Sequence, residues 1–211
     1  MYTSNKGLFI SFEGVDGCGK STQVKLLRDK IRSEGRKVEL VREPGGLKIS
    51  EEIRKILLNP DNSAMNFETE ALLMTASRAQ LTEEVIRPLL VKGFFVIADR
   101  FSDSTLAYQG GGRKLDLNIL KKINSFATKN LVPDITFLID IKPEDAMMRS
   151  GLTSLDRIEG AGIDLQKDVQ KTYLSLAKEF SNRFIILDGY DSISSIHSII
   201  WDKIINYSYE D

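Results

Sequence analysis

The residues Gly14-Val15-Asp16-Gly17-Cys18-Gly19-Lys20-Ser21 fit the spacing G-x-x-x-x-G-K-[ST] in full. Glycines at these positions let the main chain curl so that successive N–H groups converge on an anion. A helix opening at the end of the curl adds its positive end. Lys20 offers a compact charge to the β- and γ-phosphates, and the Ser21 hydroxyl offers a ligand to Mg²⁺. The run Gly14 to Thr22 therefore predicts a nucleoside-triphosphate site. Cys18 reads first as a small residue tolerated inside the loop. The sharper alternative is an activated thiol near a helix start, whose alkylation would block ATP.

Two further chemical signals are acidic strand ends. Phe94-Phe95-Val96-Ile97-Ala98-Asp99 and Thr136-Phe137-Leu138-Ile139-Asp140 are apolar runs closed by a carboxylate. That end of an open α/β sheet is where ligands bind. Asp99 is followed by Arg100, which pairs a carboxylate for a metal with a guanidinium fork for a phosphate. Asp140, close to Pro143, reads as the start of a turn. The polar, glycine-rich stretch Ser102 to Gly112 reads as non-core.

Holding these groups in place calls for short strands alternating with amphipathic helices. Strands are predicted at Leu8–Phe12, Val38–Val41, Phe94–Ala98, Ile135–Ile139 and Phe184–Leu187. Helices are predicted at Ser21–Ser33, Ile49–Leu58, Glu68–Val91, Leu117–Lys129, Pro143–Arg149, Leu165–Phe180 and Ile193–Tyr207, with Pro88 bending or ending the third. The pattern is α/β, a parallel sheet covered on both faces. The 211 residues suit one domain, with a loop or flap at about 150–162.

Composition narrows the chemistry. Lys and Arg (29) balance Asp and Glu (30), so no nucleic-acid-binding excess of basic residues is present. The single cysteine, Cys18, excludes an internal disulfide and a cysteine zinc site. The single histidine, His197, leaves no His–His metal pair. The apolar runs are shorter than a membrane span needs, and no targeting segment is visible, so a cytoplasmic protein without membrane or nucleic-acid partners is expected.

The chain resembles bacterial thymidylate kinases, from Phe9 to about Tyr173. The landmarks are Phe12-Glu13-Gly14-Val15-Asp16, Arg42-Glu43-Pro44-Gly45-Gly46, Ala76-Ser77-Arg78, Asp99-Arg100, Ser104-Thr105-Leu106-Ala107-Tyr108-Gln109-Gly110, Pro133-Asp134 and Leu155-Asp156-Arg157-Ile158-Glu159. The resemblance implies a three-layer P-loop kinase fold with a five-stranded parallel sheet. It implies a homodimer that uses ATP, with Mg²⁺, to phosphorylate dTMP for dTTP synthesis. By the same resemblance, Asp16 contacts the acceptor's 3′-hydroxyl or phosphate, and Glu43, Pro44 and Arg54 shape the acceptor pocket. Arg78 donates to thymine O4, Arg100 holds the dTMP phosphate, and Asp99 assists the metal. Ser104 and Gln109 contact the base edge, and Tyr108 lies against the sugar's C2′. As a bare residue Arg54 suits a solvated helix face equally well, whereas for Arg78 the apolar neighbours and the family position, and for Tyr108 the surrounding motif, outweigh the surface and core readings.

Two departures from the family pattern stand out. Met74 occupies the position of a phenylalanine that stacks on thymine, so weaker stacking is expected, and Met74→Phe should tighten dTMP binding. Gly17 stands where some members carry a phosphate-loop arginine, which implies flap arginines instead. The flap region offers only Arg157, with Arg149 just before it, as catalytic arginines, and Lys167 and Lys171 as reserves. Another nucleotide or nucleoside kinase is the nearest rival. A GTP-dependent switch is disfavoured, because Asn5-Lys6 precedes the phosphate loop and lacks the Asn-Lys-x-Asp continuation.

Overall fold

The computed structural model describes residues 7–151 and 156–207. Strands β1 (Leu8–Glu13), β2 (Val38–Arg42), β3 (Phe95–Asp99), β4 (Ile135–Asp140) and β5 (Phe184–Asp188) form one parallel sheet in the order β2-β3-β1-β4-β5. Each lies within one residue, at either end, of its predicted span. The chain leaves β1 toward β2 and β3, then crosses back to β4 and β5. The crevice where those directions diverge is the expected ligand position of such a sheet. The register sets Phe12 beside Asp99 and Arg42 beside Asp99, so Glu13, Arg42 and Asp99 reach the same edge.

Both faces of the sheet are apolar, as a parallel sheet covered by helices requires. Phe9, Val96 and Ala98 pack with Leu81, Ile86 and Phe101 on one side, while Ile10, Phe12, Ile97 and Phe137 pack with Leu27, Val169, Tyr173 and Ile200 on the other. The covering helices are α1 (Lys20–Ser33), α2 (Lys48–Leu58), α3 (Phe67–Leu81), α4 (Arg87–Val91), α5 (Ser102–Thr105), α6 (Leu117–Thr128), α7 (Pro143–Ser150), α8 (Ile163–Glu179) and α9 (Ile193–Tyr207). Between α3 and α4 the chain forms a π-helical turn, Thr82–Ile86. Pro88 thus falls in the first turn of α4, where its missing N–H breaks no helical hydrogen bond.

One expectation is corrected. The stretch Ser102 to Gly112 is neither a loop nor outside the core: it is α5 followed by a π-helical turn, Leu106–Gly112, and most of it is buried. Its small residues are what permit burial. A Cβ on Gly111 would lie 2.0 Å from Thr172 Oγ1 on α8, so only glycine lets the two segments close together. Its polar groups are buried because they are paired: Asp103 receives both ends of the Arg183 guanidinium at 2.7 and 2.8 Å.

Part of the expected flap, including Leu155, lies outside the described residues. Beyond it, Asp156 to Gly162 packs back on the body, where the Arg157 N–H donates to Leu58 O at 3.2 Å.

Candidate active site

Two clefts adjoin at the carboxyl end of the sheet. The first is built on the turn from β1 to α1 and is lined by Gly17, Gly19, Lys20, Ser21, Thr22, Asp99 and Arg149. A Cβ on Gly17 would lie 2.2 Å from Ala146 O, at a φ of +82°, so the curl needs glycine there. The Lys20 ammonium is buried, and it donates to Gly14 O at 3.0 Å and Val15 O at 2.9 Å. It is thus folded over the loop, as a cation poised for a phosphate would be. Cys18 is buried too, with Sγ 3.6 Å from the Lys20 ammonium, a packed position that suits the small-residue reading. Ser21 Oγ donates to Asp99 Oδ2 at 2.8 Å. A hydroxyl and a carboxylate so placed are hard oxygen donors of the kind Mg²⁺ takes beside substrate phosphates.

The second cleft is lined by Pro44, Met74, Arg78, Ser104, Tyr108 and Gln109, among others, and it shares Asp16, Glu43, Arg54 and Arg100 with the first. Arg100 is the junction. Its backbone sits in the left-handed region, φ +74°, a strained conformation that non-glycine residues rarely adopt. Its guanidinium donates to Asp16 Oδ1 at 2.5 Å, Tyr108 OH at 3.0 Å, Tyr173 OH at 3.2 Å and Ser104 Oγ at 3.3 Å. It also stacks 4.9 Å from the Tyr108 ring centre. Burial would raise the Asp16 carboxyl, but Arg100 and Lys20 outweigh it and hold the group well below the usual carboxylate range.

Behind this junction lies Glu13, a fully buried carboxylate that accepts from Phe101 N at 2.8 Å, Ser104 Oγ at 2.6 Å and Tyr173 OH at 2.8 Å. Burial, with the nearby Asp103 charge, pushes its pKa up from 4.5 to about 7. Glu13 and Tyr173 were not among the expected site residues. The signal was present, since Glu13 closes an apolar strand as Asp99 does.

Several expected residues are placed differently from their expected roles. Arg78 reaches the cleft wall, but all its donors are engaged: Nε and Nη2 on Glu43 at 2.7 and 2.6 Å, Nη1 on Thr105 and Asn124, and Nη2 on Phe101 O. It is a buried strut, and contact with thymine O4 requires exchanging one of these bonds. The Ser104 hydroxyl lines the second cleft and is tied to Glu13, Tyr173 and Arg100, so contact with a base requires exchanging one of these bonds. The structure places Arg157, expected as a catalytic arginine, away from the phosphate cleft. It pairs with Glu70 at 2.7 Å, donates to Leu57 O at 2.8 Å, and does not line the phosphate cleft. Lys167 pairs with Glu144 at the surface.

Three other residues named from the sequence line the clefts, and Asp140 does not. Arg149 lines the phosphate cleft and donates to Gly189 O at 2.7 Å. Arg54 donates to Pro44 O at 2.8 Å and lines both clefts. Met74 is half-buried on the second cleft. Asp140 holds Gln170 at 2.8 Å, a structural role.

Comparison with known proteins agrees with this geometry. A family model described as thymidylate kinase matches residues 12–200. A thymidylate kinase of Caldanaerobacter subterraneus subsp. tengcongensis is 47% identical over 202 residues, covering 96% of this chain and 97% of that protein. One of Thermosipho africanus is 50% identical over 193 residues, covering 92% and 95%. One of Chlorobaculum tepidum is 46% identical over 207 residues, covering 93% and 96%. With the family model matched over residues 12–200 and relatives at 46–50% identity over nearly the whole chain, the chain belongs to the thymidylate kinase family.

Proposed function

We propose that this chain transfers the γ-phosphoryl group of ATP to dTMP, giving dTDP and ADP for dTTP synthesis. The observation that carries this reading is the shared wall. Asp16, Glu43, Arg54 and Arg100 line both clefts, so a phosphate in one lies next to a phosphate in the other. Phosphoryl transfer demands little covalent chemistry from the protein. It demands in-line placement and neutralisation of charge.

The phosphate-loop N–H groups and Lys20 hold the donor's β- and γ-phosphates. Arg100 exchanges its Asp16 partner for the acceptor phosphate, and Asp16 turns to the sugar. Arg149 supplies the charge facing the transferring group. Ser21 and Asp99 would hold Mg²⁺, which, when bound, screens the charge on the triphosphate oxygens. Arg78 and Gln109 face the base, and Tyr108 crowds the sugar's 2′ position. A flap at about 150–162 on the single P-loop kinase domain would keep water from competing for the phosphoryl group.

The reading extends to assembly and setting. Helices α2, α3 and α6 pack side by side and leave Ile49, Leu72, Ile119 and Phe126 exposed. That apolar surface suits a homodimer. The setting is the cytoplasm, where both substrates are held. Among the described residues, no helix is long and apolar enough to cross a membrane.

A coupled assay of ADP release tests the proposal. With ATP and Mg²⁺, dTMP should be the best acceptor, dUMP second, and UMP and dCMP far weaker. ADP release independent of any monophosphate would overturn the reading in favour of a hydrolytic switch. A preference for dCMP would overturn it in favour of another nucleotide kinase.

A further inference from the structure

Glu70 is an unexplained group. It is a fully buried carboxylate on α3, away from the phosphate cleft, and it gathers three side chains from separate parts of the chain. Gln109 Nε2 donates to its Oε1 at 2.8 Å. Arg113 donates through Nε and Nη2 at 3.3 Å each. Arg157 pairs at 2.7 Å. The two arginines are themselves fixed, Arg113 over the Phe67 ring and Arg157 on Leu57 O. Burial alone would raise the Glu70 carboxyl, but Gln109, Arg113 and Arg157 outweigh it and hold it below the usual range. It is therefore ionised at neutral pH and can only accept hydrogen bonds.

That acceptor-only character determines the orientation of Gln109. A primary amide has a donor end and an acceptor end of nearly equal shape, and its orientation is set by its partners. An ionised Glu70 takes the donor end. The other end, Gln109 Oε1, accepts from no group among the described residues, and it is not among the buried atoms left without a partner. Gln109 itself lines the acceptor cleft.

We propose that Glu70 is a positioning residue for base selection, and this rests on the dTMP reading above. By holding the amide of Gln109 in one orientation, it presents a carbonyl oxygen to the cleft. A carbonyl there favours a base that carries a hydrogen on N3, as thymine and uracil do. It opposes cytosine, whose unprotonated N3 would face it lone pair to lone pair. A site built on one polar contact rejects a base that cannot make it by far more than a missing methyl group does.

The test compares wild type with Glu70→Gln, using dTMP, dUMP and dCMP as acceptors. The amide introduced in place of the carboxylate can donate as well as accept, so Gln109 is free to flip. The kcat/KM preference for dTMP over dCMP should fall at least about tenfold, while the preference for dTMP over dUMP stays constant, since both carry N3–H. The loss should appear in the KM for dTMP, with the KM for ATP unmoved. Glu70→Asp keeps the charge between the two arginines but withdraws it by one methylene. It should show the same change in smaller degree and serves if Glu70→Gln does not fold. An unchanged dTMP-over-dCMP preference in a folded variant, or an equal fall in all three acceptors, overturns the assignment. If wild type itself does not phosphorylate dTMP, the activity reading fails instead.

Discussion

Arg149 and Arg157 show how far composition can mislead about single side chains. Both are basic residues near one loop, and nothing in their identity separates them. Their partners do. Arg149 lines the phosphate cleft and donates to a backbone carbonyl, whereas Arg157 is paired with the buried Glu70. Arg149→Ala should lower kcat by about 100-fold or more, the usual loss for a donor aimed at developing charge, with little change in the KM for dTMP. Arg157→Ala should raise the KM for dTMP several-fold and leave kcat within about threefold. Steady-state kinetics on the two variants distinguishes these outcomes, and the reverse pattern would restore Arg157 to the phosphoryl group.

Glu13 carries a second prediction at this level. Its pKa in the folded protein, about 7, lies above the usual 4.5. Between those values the native state keeps a proton that the unfolded chain has released, so stability falls as pH rises through that window. The full span is worth about 3 kcal/mol at most. Glu13→Gln removes the titration. Thermal melts at pH 5 and pH 8 should show a smaller drop for the variant than for wild type, and equal drops would mean that Glu13 is ionised throughout.

Among the elements, the least expected is the helical run Ser102–Gly112. It is polar and glycine-rich, and such composition ordinarily marks a surface loop. The burial has two causes that a linear pattern conceals. The partners of its polar groups come from β1, α3, α8 and the segment before β5, distant in sequence. Gly110 faces Leu117 and Leu120 on α6, Gly111 and Gly112 face α8, and Gly111 has no room for a side chain. Gly111→Ala should therefore overpack the contact with Thr172 and Asp168, costing about 1–3 kcal/mol. Because this turn carries Tyr108 and Gln109, the same variant should raise the KM for dTMP. A melt by differential scanning fluorimetry alongside kinetics checks both, and a Tm equal to wild type would show that the contact is loose.

For the molecule as a whole, the two clefts share walls and the covering helices leave an apolar outer surface. Phe126 is the most exposed of those residues, at 88%. On the homodimer proposed above, Phe126→Glu combined with Leu72→Lys should shift the protein from dimer to monomer in analytical ultracentrifugation, with dTMP kinase activity measured on the same samples. A dimer that persists would place the interface elsewhere.

The residue order alone contained the strands, because short, mostly apolar runs bounded by glycine, proline or charged residues are local signals. It also contained the phosphate loop, whose chemistry is written in consecutive residues and whose curl needs glycine at fixed spacings. Arg100, Asp16 and Tyr108 could be named from motifs that each span a few positions. Their meeting could not be read that way, because Arg100 touches side chains from the phosphate loop, its own helical turn and α8. The Glu43–Arg78 strut, the Glu13 hub and the Glu70 clamp were hidden for the same reason. Each joins residues tens of positions apart, and a buried charge is tolerable only where folding brings it partners. Pairings of that kind depend on the packed arrangement of elements, so they emerge from the fold and not from any stretch of the chain.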